Sequence, residues 1–348
     1  MDSFINFLNH NSPSGNEQSA REWLYHNTKS YKSIELEKDV NGNIYGILNK
    51  RHDSFKIMIE GHIDEIGGQI TNIDENGFIY FREVGGVDRK TLPSQRVMFT
   101  NGVYGIIGKK AIHLEDEEEQ EKVYKIKELY IDCGFQSRDE ALQKLEIGDY
   151  FTFAPNALVF QNDMICSKGI DDKVGAYIAF EVLKKLSEDK SFKTCVYAVG
   201  TTGEEIGVIA SGATTIADNI KPDISISIDV NFASDAPNDD KNMLGDISLG
   251  KGIMIARNAD TNPKLYDLFK RVNFDRQYQV TADTCASGGT NAAYIKCRNK
   301  GIATFAVGIP CRYMHTSGEM ISYKDVTNAI ELLVKFIKNI SKHMILIP

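Results

Sequence analysis

Five short strings in this 348-residue chain place acids or histidines where the hydrophobic pattern changes. They are His62-Ile63-Asp64, Asp171-Asp172, Glu204-Glu205, Asp229 and His315. Four of them follow β-rich apolar runs: residues 55–59 lead to His62, 194–199 to Glu204 and Glu205, 224–228 to Asp229, and 302–309 to His315. The fifth, Asp171-Asp172, stands just ahead of a helical pattern over 174–186. Singly, each has a plain structural role, because a histidine near a strand end packs and paired acids at a helix start cap it and suit its dipole. Gathered at the carboxyl edge of one open sheet, where ligand sites form in α/β proteins, they make a strongly anionic pocket. Desolvating that charge unpaired is very unfavourable, and divalent cations offset it. Imidazole mixed with carboxylate, without thiolate, suits zinc, cobalt or manganese. Two such ions about 3.5–4 Å apart lower the pKa of a bridging water toward about 7. A nearby carboxylate then takes the water's proton as it attacks an activated carbonyl.

These groups need strands that end together and helices that return the chain. The apolar runs alternate with helical patterns at 174–186 and 326–340, where apolar residues recur three or four apart. That alternation specifies an α/β layer with a mainly parallel sheet. Residues 69–160 have a different texture, with short strands between Asp74-Glu75-Asn76-Gly77, Val84-Gly85-Gly86-Val87, Asn101-Gly102 and Ile147-Gly148-Asp149, and one helix near 138–145. Such texture belongs to a β-barrel or sandwich. The expected organisation is a catalytic α/β domain of residues 1–68 and 161–348, with residues 69–160 inserted after the first functional strand.

Composition narrows the function classes. The chain is 42% hydrophobic and 25% charged, as ordinary globular proteins are. A net charge of −8 argues against a nucleic-acid partner, which needs concentrated Lys and Arg. No apolar run approaches the roughly 18–20 residues of a membrane span, so no membrane partner is expected. The first eight residues read as a short amphipathic helix, not a signal peptide. Cys133, Cys166, Cys195, Cys285, Cys297 and Cys311 are scattered with no C-x-x-C pair. They read as reduced thiols in a cytoplasmic protein. The acidic run over 115–119 reads as a solvated helix start. Gly200-Thr201-Thr202-Gly203 lacks the Lys-Ser/Thr of a phosphate loop, and Ser287-Gly288-Gly289 lacks the glycine two residues earlier that a nucleophile elbow needs.

The chain resembles the dinuclear-metal aminopeptidases of metallopeptidase family 42, the tetrahedral aminopeptidases that include glutamyl and deblocking enzymes. The matching strings are Gly61-His62-Ile63-Asp64-Glu65-Ile66-Gly67, Gly169-Ile170-Asp171-Asp172-Lys173-Val174-Gly175, Gly203-Glu204-Glu205-Ile206-Gly207, Ser227-Ile228-Asp229-Val230, Ser287-Gly288-Gly289-Thr290-Asn291-Ala292 and Tyr313-Met314-His315. Leu92-Pro93-Ser94-Gln95-Arg96-Val97 and Val103-Tyr104-Gly105-Ile106-Ile107-Gly108 support the match inside the insert. The resemblance covers nearly the whole chain. It implies an α/β/α catalytic domain of the zinc-exopeptidase type with a small β-barrel-like dimerisation domain, and a homo-oligomer that builds to a dodecamer.

The resemblance also implies roles. Asp171 would bridge two divalent ions, Zn2+ or Co2+ first and Mn2+ as a further option. His62 and Asp229 would complete one metal site, and Glu205 with His315 the other. Glu204 would be the general base. Asp64 would accept the free N–H of His62, as ligating histidines require. The Asp171–Asp172 peptide would be cis. Substrates would be short peptides with a free N-terminus, and the pocket wall would come from the loops after Asp229 and around 251–260 and 281–293, with Tyr313 and Asp283 as further candidates. Lys173 replaces the family's usual arginine, and Asn231, Asn291 and Thr316-Ser317 also depart from its pattern. An N-acyl deacylase on the same metals is the alternative reading. The endoglucanase label of some relatives fits poorly, because glycoside cleavage wants two carboxyls flanking the bond.

Overall fold

The computed structural model of the chain describes residues 1–51, 54–117, 121–207, 211–282 and 289–348. Glu118, Glu119, Asp283, Cys285, Ser287 and Gly288 therefore lie outside the described residues. In chain order the strands are β1 (Ile34–Lys38), β2 (Ile44–Leu48), β3 (Lys56–His62), β4 (Gly67–Ile73), β5 (Ile79–Val84), β6 (Arg96–Phe99), β7 (Tyr104–Gly108), β8 (Tyr130–Asp132), β9 (Tyr150–Phe153), β10 (Leu158–Val159), β11 (Met164–Ser167), β12 (Cys195–Thr201), β13 (Ile224–Phe232), β14 (Met254–Ala256), β15 (Gln279–Thr281), β16 (Ala303–Cys311) and β17 (Glu319–Ser322).

Eight strands form one sheet in the order β1-β2-β12-β3-β13-β16-β14-β15. The central four, β12, β3, β13 and β16, are parallel neighbours. The flanks are antiparallel where β2 meets β12 and where β14 meets β16. The sequence pattern specified the parallel centre but not these flanks, whose strands are short and lack the long apolar runs of doubly covered strands.

Alternation along β3 shows how the sheet is covered on both faces. Ile57 and Ile59 join a core with Val174 and Ile178 of the Ile170–Glu188 helix and Phe336 of the Tyr323–Lys338 helix. Met58 points the other way, to Ile216 and Ile220 of the Ser211–Ile220 helix. Parallel strands buried on both faces read as near-continuous apolar runs, and 302–309 reads that way, whereas 224–228 alternates Ile with Ser and is buried throughout. Among the described residues no helix is long and apolar enough to cross a membrane.

Strands β4, β5, β8, β7, β6 and β9 close into a barrel with its own core, which includes Ile70, Phe99, Ile131 and Phe151. The barrel strands end at Phe153, and Leu158–Val159 pairs with β11 instead. The acidic run over 115–119, expected as a helix start, follows a 3-10 turn at Ile112–Leu114 and is helical from Glu117 among the described residues, with Glu115 paired to Lys109 at 2.8 Å.

Parallel register sets the functional level. Thr201 lies opposite His62 and Ser227 opposite Glu60, so Asp229, two residues on, comes level with His62. Gly61 lets the helix approach this edge, since a Cβ there would lie 2.4 Å from the backbone of Gly175 and Ala176 and 2.7 Å from Asp172 Oδ2. Gly61→Ala should therefore lower the unfolding free energy by about 1–3 kcal/mol through overpacking, read from urea denaturation. An unchanged midpoint would contradict so close an approach.

Candidate metal centre

The structure brings His62, Asp171, Glu204, Glu205, Asp229 and His315 to one cavity of about 620 Å3, while Asp64 and Asp172 lie off its wall. Ligand atoms of His62, Asp171 and Asp229 lie within 4.8 Å of one another, and so do those of Asp171, Glu205 and His315. Asp171 belongs to both sets: its Oδ1 is 3.1 Å from His62 Nε2 and its Oδ2 is 3.3 Å from His315 Nε2. Asp229 Oδ1 stands 4.0 Å from His62 Nε2, and Glu205 Oε2 stands 3.5 Å from His315 Nε2. Glu204 lines the same cavity, with Oε2 3.8 Å from His62 Nε2, but joins neither set.

Three further buried carboxyls hold these groups by their main chain. Asp64 accepts the N–H groups of Glu204 (3.1 Å) and Glu205 (3.0 Å), and the Ser14 hydroxyl at 2.6 Å. Asp172, across a cis peptide from Asp171, accepts the N–H groups of His62 (3.1 Å) and Gly175 (2.9 Å). Glu319 accepts the N–H groups of Asp171 (3.0 Å) and His315 (2.9 Å). Each carboxylate offers several acceptor positions, so two N–H donors suit it well.

Both imidazoles have their inner nitrogen engaged by a main-chain carbonyl. His62 Nδ1 is 3.0 Å from the carbonyl oxygen of Asp64, and His315 Nδ1 is 2.7 Å from that of Gly86. A carbonyl only accepts, so Nδ1 carries the hydrogen and Nε2 is left as a lone-pair donor facing the acids. The expected Asp64 carboxylate is the longer contact, at 3.5 Å from His62 Nδ1, because it is turned toward Glu204, Glu205 and Ser14. Gly86 belongs to the barrel side of the chain, so the insert orients a residue of the sheet domain. Tyr313 is half-exposed and off the cavity wall.

Electrostatics show what this arrangement needs. Burial pushes the carboxyls of Glu205 and Asp229 well above the carboxylate range, and the charge of Asp171 adds to it. Burial raises Glu204 too, and lifts Glu319 to about 8 and Glu60 to about 7. Burial also opposes ionisation of Asp171, but hydrogen bonds from His315 and His62 outweigh it and hold that carboxyl low. The Asp171 hydrogen bond, against some desolvation, lifts His315 to about 10. Protons thus fill the place of missing positive charge. Nitrogen and oxygen donors in two sets, with ring tautomers already fixed, fit divalent cations.

Fold and donor sets together define an α/β metallohydrolase with a barrel insert. The M42 glutamyl aminopeptidase family model matches residues 42–332, and the chain belongs to that family. A protein of Acetivibrio thermocellus is 35% identical over 331 residues, covering 93% of this chain and 94% of that protein. The aminopeptidase APDkam598 of Desulfurococcus kamchatkensis superposes with a TM-score of 0.87 at 32% identity, over 98% of this chain and 94% of its own. The TET1 peptidase of Pyrococcus horikoshii, which can assemble into a tetrahedron or a large octahedral shell, superposes with a TM-score of 0.84 at 25% identity, over 97% and 99% of the two chains.

A pH dependence follows. Glu319 and Glu60 hold protons in the fold up to about 8 and about 7 that they give up near 4.5 when unfolded, so stability falls as pH rises across that interval. His315 contributes stability in full below its ordinary 6.5, and that contribution is lost as pH rises through about 10. Both effects run the same way. The metal-free protein should lose thermal stability on going from about pH 6 to about pH 8, and saturating Mn2+ should raise Tm more at the higher pH, because cations displace those protons. A metal-induced shift that shrank with rising pH would contradict the donor assignment.

Proposed function

We propose that the chain removes the N-terminal residue from short peptides, with two divalent cations held by five side chains and Glu204 as general base. The observation that carries this is the sorting of donors: two sets share Asp171, while Glu204 lines the same cavity outside both. His62, Asp171 and Asp229 would hold one cation, and Asp171, Glu205 and His315 the other. Zinc, cobalt and manganese suit these donors. Bound there, the cations would supply Lewis acidity, a water that ionises near neutral pH and a polarised scissile carbonyl.

The chain's own share is proton traffic and position. Glu204, its carboxyl raised by burial, takes a proton from the attacking water as the carbon–oxygen bond forms. It returns that proton to the amide nitrogen as the carbon–nitrogen bond breaks, and so releases an amine. Asp64 fixes Glu204 for this through its main-chain N–H. The acid-rich wall attracts the positive α-amino group of a free N-terminus, which an N-acylated peptide lacks. That favours an aminopeptidase over a deacylase.

The exposed Tyr104 and Ile106 on the barrel strand β7 support a homo-oligomer built through the insert. The Pyrococcus horikoshii TET1 peptidase, which can assemble into a tetrahedron or a large octahedral shell, supports a closed assembly, and the similar PhTET1-12s dodecamer supports twelve subunits. Free Cys133, Cys166, Cys195, Cys297 and Cys311 support a cytoplasmic location.

The test is release of the first residue from short peptides, free and N-acetylated, after chelation and after adding back each metal. Free peptides alone should be cleaved, and only with metal. Glu204→Gln should keep its metal content and lose turnover about 100- to 10,000-fold, whereas His315→Ala should lose metal first. Turnover near wild type in Glu204→Gln would remove the assigned base.

A further inference from the structure

Resting on the aminopeptidase reading, we propose that the pocket beside the metal centre takes an uncharged apolar N-terminal side chain and turns away an acidic one, with Lys296 keeping the pocket neutral by pairing with Asp260. The space for that side chain is cut from small residues. Ala256, Ala292 and Ala306 form a buried cluster of their own, and Ala256, Ala306 and Gly308 reach the cavity wall. Gly308 is kept small by its neighbours, for a Cβ there would lie 3.0 Å from Asn231 Cβ and 3.3 Å from Met254 Cβ. Met254, Phe232 and Met314 supply larger apolar surface around this floor. Flexible thioethers adapt to apolar groups of varied shape.

Charge sharpens the choice. Among the described residues the cavity wall includes no Lys or Arg. The sequences of residues 208–210 and 283–288 hold neither, so they add no cation wherever they lie. An N-terminal Glu or Asp would bring a carboxylate into a desolvated pocket with no cationic side chain on its wall to pair it, which costs heavily. Apart from the carboxylates and imidazoles of the metal centre, the one charged wall residue among those described is Asp260. Its Oδ1 is 2.8 Å from Lys296 Nζ, which also donates to the Ala259 carbonyl at 3.0 Å. A basic N-terminal side chain therefore meets an acid already neutralised from behind. The family model bears a glutamyl name, and this wall departs from what that name suggests.

The experiment compares kcat/KM for fluorogenic amides of Leu, Met, Lys and Glu with the metal-loaded enzyme, alongside calorimetric binding of free leucine and free glutamate. Leu and Met should lead, with Glu at least about 100-fold lower, and leucine should bind where glutamate does not. Lys296→Met should raise the Lys-to-Leu ratio about tenfold, and Asp260→Asn, which leaves the ammonium alone, should raise the Glu-to-Leu ratio by a similar factor. Ratios taken from one preparation do not depend on how much of a variant is folded. If every amide is inert yet leucine binds in preference to glutamate, the aminopeptidase reading fails and the pocket assignment stands. Glu turnover within tenfold of Leu, or both ratios unmoved in the two variants, overturns it.

Discussion

Asp64, Asp172 and Glu319 lie in a desolvated cluster of acids, and each meets that burden with two main-chain N–H groups. Main-chain N–H donors satisfy buried carboxyl oxygens that would otherwise be costly to desolvate. The donors are not arbitrary. They belong to Glu204, Glu205, His62, Asp171 and His315, together with Gly175 behind them. The acids outside the donor sets therefore fix the backbone of nearly every residue in or beside those sets. Asp229 stands apart from this scheme, and it sits at the level of His62 within a long central strand that positions it directly.

The same constraint explains the buried lysines behind the site. Glu65 Oε1 is 2.7 Å from Lys168 Nζ and 2.8 Å from Lys173 Nζ, and it also accepts the Ser12 N–H at 2.8 Å. Burial opposes ionisation of Glu65, but the two ammonium groups outweigh it and hold its carboxyl low. Burial drives Lys168 down to about 7 despite Glu65. These three residues flank the turn that delivers Asp171 and Asp172. They put positive charge on the far side of an acid cluster whose near side faces the cavity. Lys173 is a point charge and not a planar fork, and it sits in a site where one carboxylate oxygen serves two ammonium groups.

Much of the site was legible because its signals are local. His62, Glu204, Glu205 and Asp229 each end an apolar run, and in a parallel sheet such ends gather at one edge. Asp171 was legible from the acids that precede the 174–186 pattern. Glu319 was not, because its role is to receive N–H groups from residues 148 positions away and 4 positions away, and no residue pattern encodes that. Gly86 was equally hidden, as its carbonyl meets His315 across 229 positions of chain. The Asp64 contact to His62 was expected at the carboxylate, and the nearer atom is the carbonyl of the same residue. Sequence spacing identifies a residue as a neighbour without saying which of its atoms does the work. The antiparallel flanks of the sheet escaped for a related reason, since three-residue strands such as β14 and β15 are too short for periodicity to speak.

The two donor sets are built to different standards, and chain topology is the cause. His62 and Asp229 come from adjacent central strands, and His62 is 2% exposed at its side chain, with backbone and ring both hydrogen-bonded inside one domain. His315 is 35% exposed, has a φ of 62°, and takes its ring orientation from Gly86 in the segment after β5. A left-handed conformation is costly for a residue with a side chain and persists only where neighbours enforce it. Here the neighbours are Glu319, which holds the His315 N–H, and Asp88, whose N–H reaches the His315 carbonyl at 3.4 Å. Only four residues separate β3 from β4, so the insert leaves the sheet at the first donor and its loop returns against the last. One half of the centre is a property of the sheet. The other takes the orientation of its histidine ring from the insert, which gives any surface that steadies the barrel a physical route to His315.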